Sequence, residues 1–392
     1  MNPPFAKRRV VLLGSTGSIG TSTLKVAREM PGEIEIIALA ASRNIETLAA
    51  QARETGVKHV AIYDASLENS LRALLPHGVK IHVGPEGLSE LATLAEADIV
   101  LIAIVGTAGL HPALAAIEAG KDLAVASKEI LVMAGEVITT AAAKRGVNLL
   151  PVDSEHNAIF QCLDGYSGSR SDVSRLILTA SGGPFRELPA AEIPQVTLAQ
   201  ALKHPTWVMG AKITIDSATL FNKGLEMIEA RWLFGIEMER IEVVVHPQSI
   251  VHSLVEFVDG SVLAQLSRPD MCFPIQYALT WPRRLRGGLR PLDLANMGKL
   301  EFEAPRSSDF PALDLARRAG SVGGTLPAIY NAANEVAVEA FRAGEISFPG
   351  IWHCVSAAMD AHHVMPSDTL DAVVTADQWA RETASQFISR FS

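Results

Sequence analysis

The sequence predicts an α/β protein in three parts, and three observations predict it. Up to about residue 150, short apolar runs alternate with amphipathic stretches, the mark of repeated βα units and a doubly wound parallel sheet. After Asp153 the apolar runs continue with fewer helical stretches between them, which predicts an α+β domain over 151–282. After a linker over 283–306 only the helical period remains, which predicts an α-helical bundle over 307–392.

In chain order, "RVVLL", "IEIIALA", "HVAIY", "DIVLIAIV" and "DLAVA" read as buried parallel strands. "TSTLKVAREM", "IETLAAQARETG" and "LSELATLAEA" read as helices between them, on right-handed crossovers. "NLLPV" closes this half as a further strand. In the second part "RLILTA", "KITID", "IEVVVH", "SIVHSLVEFVDG" and "SVLAQLS" read as strands, and Asp259-Gly260 between apolar runs is a hairpin signal. "RRLRGGLRPLDLANMGKLEFEAPR" is rich in Gly, Pro and Arg and reads as the linker. "TLPAIYNAANEVAVEAFRAG" and "LDAVVTADQWARETASQFISRF" read as bundle helices.

Composition narrows the function. With 48% hydrophobic and 20% charged residues the chain folds rather than staying disordered. A formal net charge of -9 argues against nucleic acid as a bulk partner, while leaving local anion pockets open. Cys162, Cys272 and Cys354 are widely spaced without a CxxC, so neither a disulfide framework nor a zinc site is expected, and a reducing cytoplasm is the simplest compartment. The N-terminal stretch sets basic residues before apolar ones, but Gly14 cuts the apolar run too short for a signal peptide. "DIVLIAIVG" is strand length, so no membrane span is expected.

The first strand runs into "GSTGSIGTSTL", with glycines at 14, 17 and 20 at the turn into the first helix. Glycine lets the backbone turn tightly and approach a pyrophosphate, and the helix N-terminus offers free N–H groups to it. Thr16, Ser18 and Thr21 add hydroxyl donors. This placement marks a Rossmann-like dinucleotide site, although the spacing differs from the standard form and a ligand-free tight turn has the same shape. The second strand ends in Ser42, Arg43 and Asn44, with no acid for ribose hydroxyls. Arg43 can hold a 2′-phosphate, which favours NADP over NAD. Equally, Arg43 can be a solvated loop residue and Asn44 a helix cap.

Asp153 and Glu155 follow the strand "NLLPV", where extended geometry would point both side chains the same way. Paired carboxylates repel unless a cation lies between them, and oxygen ligands favour a hard ion, Mg²⁺ or Mn²⁺. Alone, Asp-Ser-Glu reads more readily as a solvated helix cap. In "DSATLFNKGLEMIEARW", read as a strand end that becomes helical, Asn222 and Glu226 share a face beside Lys223, with Ser217 near the helix start. A serine, an amide and a lysine make a phosphate cradle, and Glu226 one turn deeper is a candidate third metal ligand. Ser181 in "ASGGPF" offers a second anion contact. Between them lies "LKHPTWVMGAK": Trp207 and Met209 read as a packed loop or a water-excluding lid, and His204 as a phosphate donor or a turn cap.

These stretches, with "AIVGTAGL", "ASKEILVMAGE", "PVDSEHNAIFQ", "HPQSIVHSLVEF" and "LPAIYNAANEVAV", resemble the 1-deoxy-D-xylulose 5-phosphate reductoisomerase family of the non-mevalonate isoprenoid pathway, nearly end to end. The resemblance implies a NADPH-binding domain over 1–150, a catalytic domain over 151–282 that carries the lid and a dimer sheet, and a homodimer. It implies metal ligands Asp153, Glu155 and Glu226, and phosphate contacts Ser181, Ser217, Asn222 and Lys223 with His204 close by. Ser154 and Lys128 match residues at the substrate hydroxyls or the reacting centre, and Trp207 and Met209 match the lid. Cofactor contacts match Gly14, Thr16, Gly17, Ser18, Ile19, Ser42, Arg43, Asn44, Ser127, Glu129 and Gly210. The substrate implied is a phosphorylated keto sugar, rearranged by retro-aldol and aldol steps and then reduced by NADPH to 2-C-methyl-D-erythritol 4-phosphate, with Mg²⁺ or Mn²⁺ as Lewis acid and template. Three features depart from the family: Ser127 stands where Asn is common, Ser42-Arg43 where Gly-Lys is frequent, and the segment between Asp153 and Ser181 is shorter than in some members. Two other readings compete. A semialdehyde or homoserine dehydrogenase needs no acid trio, and an aldehyde dehydrogenase needs a positioned Cys nucleophile, for which Cys162 lacks a partner His. A non-catalytic NADP sensor has no use for a metal site.

Overall fold

The computed structural model describes residues 7–207 and 209–389. Residues 1–6, where the basic N-terminal stretch begins, Val208 inside the segment read as a packed loop or lid, and residues 390–392 lie outside the described residues. The chain divides into two compact units: Met1–Ile130, Ile138–Asn157 and Asp270–Arg290 form one, and Leu131–Val137, Ala158–Pro269 and Pro291–Ser392 the other.

The first unit is built on seven strands: β1 (Arg8–Leu13), β2 (Ile34–Ala41), β3 (His59–Ile62), β4 (Lys80–Val83), β5 (Ile99–Ile102), β6 (Asp122–Val125) and β7 (Leu149–Pro151). Their order is β4-β3-β2-β1-β5-β6-β7, every pairing parallel. Val10–Leu13 and Ile99–Ile102 are fully buried, as a sheet covered by helices on both faces requires. The chain steps outward from β1 to β4 and returns to β5 beside β1. The topological switch point, where such sheets bind ligands, therefore lies at the C-terminal ends of β1 and β5. Asn44 and Gly56 bracket the helix Ile45–Thr55: the Asn44 side chain accepts the Thr47 N–H at 3.1 Å, and Gly56 closes the helix at φ 69°. β4 is a strand the sequence reading lacked.

The second unit holds a four-stranded sheet of β8 (Val173–Ala180), β9 (Ile241–Val245), β10 (Val251–Phe257) and β11 (Val262–Leu266) in the order β11-β10-β8-β9. Only β8 and β9 run parallel, and the expected hairpin turns at Gly260, φ 85°. "KITID" is not a strand: Ala211–Ala218 is helical. Asp216, buried on that helix, pairs with Lys212 one turn back at 2.7 Å and accepts the Asn334 amide at 2.9 Å, so tertiary partners override the β-branched residues. Helix Phe221–Phe234 follows and packs on helix Ala312–Val322. Gly224 is required there, because a Cβ would lie 2.9 Å from Ala316 Cβ and 2.2 Å from the Tyr330 hydroxyl. Helix Leu326–Ala343 packs on Gly350–Ala361 and Leu370–Ile388, and Phe185, Phe341, Phe348 and Trp352 join in edge-on ring contacts. Among the described residues no helix is long and apolar enough to cross a membrane.

Candidate functional site

At the end of β1 the three glycines meet different constraints. Gly14 has φ 96°, and a Cβ there would lie 2.3 Å from the Ala103 carbonyl oxygen. A Cβ at Gly20 would lie 2.3 Å from the Gly14 carbonyl oxygen, so this glycine lets the helix sit against its own loop. Gly17 has ordinary φ and ψ, −80° and 177°, and a Cβ would meet nothing nearer than 3.6 Å. Neither the backbone nor the packing requires glycine at 17, which lies at the exposed start of helix Ser18–Glu29. Thr16, Ser18 and Ile19 lie along this turn.

Ser42, Arg43 and Asn44 are exposed past the end of β2. Asn44 is the helix cap. Arg43 remains largely exposed and pairs with Asp64, past the end of β3, at 3.2 Å. The sequence gives no sign of Asp64, because the two residues meet only through the β2–β3 pairing.

Past β6, the Ser127 hydroxyl donates to the Glu129 carboxylate at 3.0 Å. Lys128 Nζ lies 2.8 Å from Asp153 Oδ2, both side chains nearly buried. Asp153 and Glu155 are not alternate residues of a strand. Pro151 ends β7, and Ser154–Leu163 is helical. Asp153 Oδ1 accepts the Glu155 N–H at 3.3 Å, and the Ser154 hydroxyl donates to Glu155 at 2.6 Å. The two acids still offer carboxylate oxygens within 4.8 Å of each other. Asn157 locks this helix start, donating to the carbonyls of Pro151 (2.8 Å) and Pro274 (3.3 Å). Burial alone would raise the Asp153 carboxyl; the Lys128 ammonium, helped by His156 and Glu155, outweighs burial and holds it well below the usual carboxylate range. His156, buried with Nδ1 3.6 Å from Asp153 Oδ1, is a participant the sequence reading missed. Its i,i+3 spacing from Asp153 was the available signal.

In the second unit His204 Nε2 lies 2.9 Å from the Ser181 hydroxyl and 3.1 Å from that of Ser217. Its Nδ1 accepts the N–H groups of Thr206 (3.1 Å) and Trp207 (2.9 Å). A nitrogen that accepts two N–H groups carries no proton, so the proton is on Nε2 and the ring presents a donor to the serines. Burial lowers the pKa of His204, in keeping with a neutral ring. Ser217 lies on the last turn of helix Ala211–Ala218, not at the start of the next helix. On helix Phe221–Phe234 the Asn222 amide donates to Glu226 Oε1 at 2.5 Å, and Lys223 pairs with Glu226 Oε2. Trp207, Met209 and Gly210 lie in the irregular segment before helix Ala211–Ala218, the two large side chains half-buried. The structure thus gathers Lys128 and Asp153–Glu155 in one unit, and Ser181, His204 and Ser217, with Asn222, Lys223 and Glu226, in the other. Their carboxylate oxygens suit a hard divalent ion.

Thiol chemistry is not supported at the buried cysteines. Burial, with Asp270, pushes Cys272 up to about 12, and burial pushes Cys354 up to about 11. In the second unit His252 is buried, with Nε2 2.8 Å from the Ser267 hydroxyl. Burial is the main cause that lowers its pKa to about 4, with the Lys223 charge adding to it. The unfolded chain therefore takes up the proton first, near pH 6.5. The stabilisation is complete above that pH and is lost as pH falls through about 4. His252→Asn should flatten the wild-type loss of stability between pH 7 and 4 by about 3 kcal/mol, read from urea unfolding of both proteins.

Three family models match the chain: 1-deoxy-D-xylulose 5-phosphate reductoisomerase over residues 10–135, its C-terminal domain over 149–234, and the DXP reductoisomerase C-terminal domain over 266–383. The 1-deoxy-D-xylulose 5-phosphate reductoisomerase of Symbiobacterium thermophilum is 54% identical over 385 residues, 97% of this chain and 98% of the relative. That of Chlorobium chlorochromatii is 52% identical over 382 residues, 97% of this chain and 100% of the relative. Among solved structures, the reductoisomerase from Zymomonas mobilis in complex with NADPH superposes with a TM-score of 0.92 at 45% identity, covering 97% of this chain and 99% of that one. A DOX-P reductoisomerase in complex with NADPH, fosmidomycin and magnesium gives 0.92 at 41%, covering 97% and 98%.

Proposed function

The chain belongs to the 1-deoxy-D-xylulose 5-phosphate reductoisomerase family, and from that membership we propose how its residues divide the work of an NADPH- and divalent-metal-dependent enzyme that converts 1-deoxy-D-xylulose 5-phosphate to 2-C-methyl-D-erythritol 4-phosphate in the non-mevalonate isoprenoid pathway. Residues 1–150 bind NADPH, 151–282 carry the chemistry and the lid, 283–306 link, and 307–392 form the helical support. Gly14, Thr16, Gly17, Ser18 and Ile19 receive the pyrophosphate, Ser42, Arg43 and Asn44 the 2′-phosphate side, and Ser127, Glu129 and Gly210 complete the cofactor contacts. Asp153, Glu155 and Glu226 hold one Mg²⁺ or Mn²⁺.

The observation that carries this reading is that nearly buried acids are held by lysines in both units, Asp153 by Lys128 and Glu226 by Lys223, the latter pair on a helix that packs on the one carrying Ser217. When bound, the ion supplies Lewis-acid polarisation of the substrate's carbonyl and hydroxyl oxygens, and NADPH supplies the hydride. The protein's own groups do the rest. Ser181, Ser217, Asn222, Lys223 and the Nε2–H of His204 hold the phosphate and so orient the sugar chain. Ser154 and Lys128 contact the hydroxyl oxygens at the reacting carbons. Trp207 and Met209 close over the substrate and exclude water. Turnover, followed as loss of nicotinamide absorbance, should need protein, NADPH, the keto sugar phosphate and Mg²⁺ or Mn²⁺ together; turnover undiminished by a chelator would refute the metal's role.

Arg43 supports a sharper expectation. It is the cation past β2, so Arg43→Ala should weaken NADPH binding by about 10–100-fold while leaving NADH binding nearly unchanged. Equal losses for both cofactors, by fluorescence titration, would remove Arg43 from the 2′-phosphate site. A homodimer would form across the β11 edge, where Val262 and Leu263 are each 47% exposed and Val258 is 67% exposed. A cytoplasmic setting suits three widely spaced cysteines without a CxxC.

A further inference from the structure

Glu226 is 1% exposed, and both its carboxylate oxygens are engaged from its own helix, Oε1 by the Asn222 amide and Oε2 by the Lys223 ammonium. Lys223 is itself 4% exposed. Helix Ala211–Ala218, which packs on this helix, carries Ser217, whose hydroxyl meets His204, and His204 in turn meets Ser181. One lysine is therefore bound to a carboxylate assigned to a cation, on a helix packed against the one that carries Ser217, and is itself assigned to the phosphate.

We propose that Lys223 couples the two ligands by changing partners: it competes with the divalent cation for Glu226, and once displaced it serves as a phosphate ligand. This rests on the reading of Glu226 as a cation ligand and of Lys223 as part of the phosphate cradle. Three physical points carry it. The ammonium and the cation need the same carboxylate oxygen, so they exclude each other there. A displaced ammonium with almost no access to water loses an anionic partner, and a phosphate dianion replaces it. The lysine stem has four rotatable carbons, so its charge can swing from one partner to the other without backbone movement. Because linkage is reciprocal, the cation must strengthen phosphate binding by the same factor by which phosphate strengthens cation binding. A bound phosphate draws Lys223 off Glu226 and exposes the carboxylate's full charge. A bound cation does the converse. Phosphate-bearing substrate and cation then arrive cooperatively, and a keto sugar without the phosphate leaves Lys223 competing for Glu226.

The test uses the full chain, Mn²⁺ and methyl phosphate, a phosphate monoester with no carbonyl or hydroxyl through which to chelate. Free Mn²⁺ is read by electron paramagnetic resonance, so no turnover is involved. In the wild type, saturating methyl phosphate should tighten Mn²⁺ binding by about tenfold, within the roughly 5–150-fold range of such couplings. Lys223→Met without methyl phosphate should bind Mn²⁺ about as tightly as the phosphate-saturated wild type, because the competitor is gone. Mn²⁺ binding in the wild type that ignores methyl phosphate would overturn the exchange of partners while leaving the cation site intact. So would a Lys223→Met protein that binds Mn²⁺ no tighter than the unliganded wild type. If Glu226→Gln binds Mn²⁺ as the wild type does, the cation assignment itself falls, and this proposal with it.

Discussion

Asp153→Asn and Glu226→Gln should each bind NADPH as the wild type does and lose turnover by on the order of 10³-fold in kcat/KM. Each change keeps shape and removes one negative charge. At 153 it also leaves the Lys128 ammonium, now 2.8 Å from the carboxylate, facing a neutral amide, so the site changes from one that attracts a divalent ion to one that repels it. At 226 the same holds for Lys223. The NADPH contacts proposed past β1 and β2 involve neither acid, which is why cofactor affinity serves as the internal control. A thermal unfolding midpoint measured alongside separates lost chemistry from lost folding. Variants that turn over normally would remove these acids from the mechanism.

The second large effect contrasts two glycines three residues apart. Gly17→Val should fold as the wild type does, because its backbone is in an ordinary region and a Cβ has 3.6 Å of room. Its NADPH dissociation constant should nevertheless rise by roughly a hundredfold, about 2.7 kcal/mol, since the branched side chain occupies the approach of the pyrophosphate to the helix start. Gly14→Ala should do the reverse damage. Its Cβ would press on the Ala103 carbonyl at a φ that L-residues avoid, costing on the order of 3 kcal/mol of stability before any ligand is considered. Equilibrium unfolding and NADPH titration of both variants check the contrast. A Gly17→Val protein with normal NADPH affinity would move the pyrophosphate elsewhere.

The parallel half was legible because burial on both faces writes itself as runs such as Val10–Leu13 and Ile99–Ile102. β4 was not, because Lys80 and His82 interrupt a four-residue edge strand with only two apolar residues. "KITID" misled for a different reason. Ile213, Thr214 and Ile215 favour a strand locally, and the partners that make the segment helical, Lys212 and Asn334 on Asp216, include one 118 residues away. The candidate site residues were legible as residue types at turns. Their geometry was less so: Pro151 and Ser154 place Glu155 on a helix rather than a strand. The donors on His204 Nδ1 are backbone N–H groups that no side-chain pattern records. Asp64 was missed as a partner because it meets Arg43 only across the β2–β3 pairing, whereas His156 was missed despite its i,i+3 spacing from Asp153.

The central claim is that one divalent ion is shared by Asp153, Glu155 and Glu226. Anomalous diffraction from crystals of the protein grown with Mn²⁺ tests it most directly. The account predicts a single strong peak within about 2–2.5 Å of an oxygen from each of the three carboxylates. A peak that lacks any one of them, or Mn²⁺ bound only elsewhere, would contradict it.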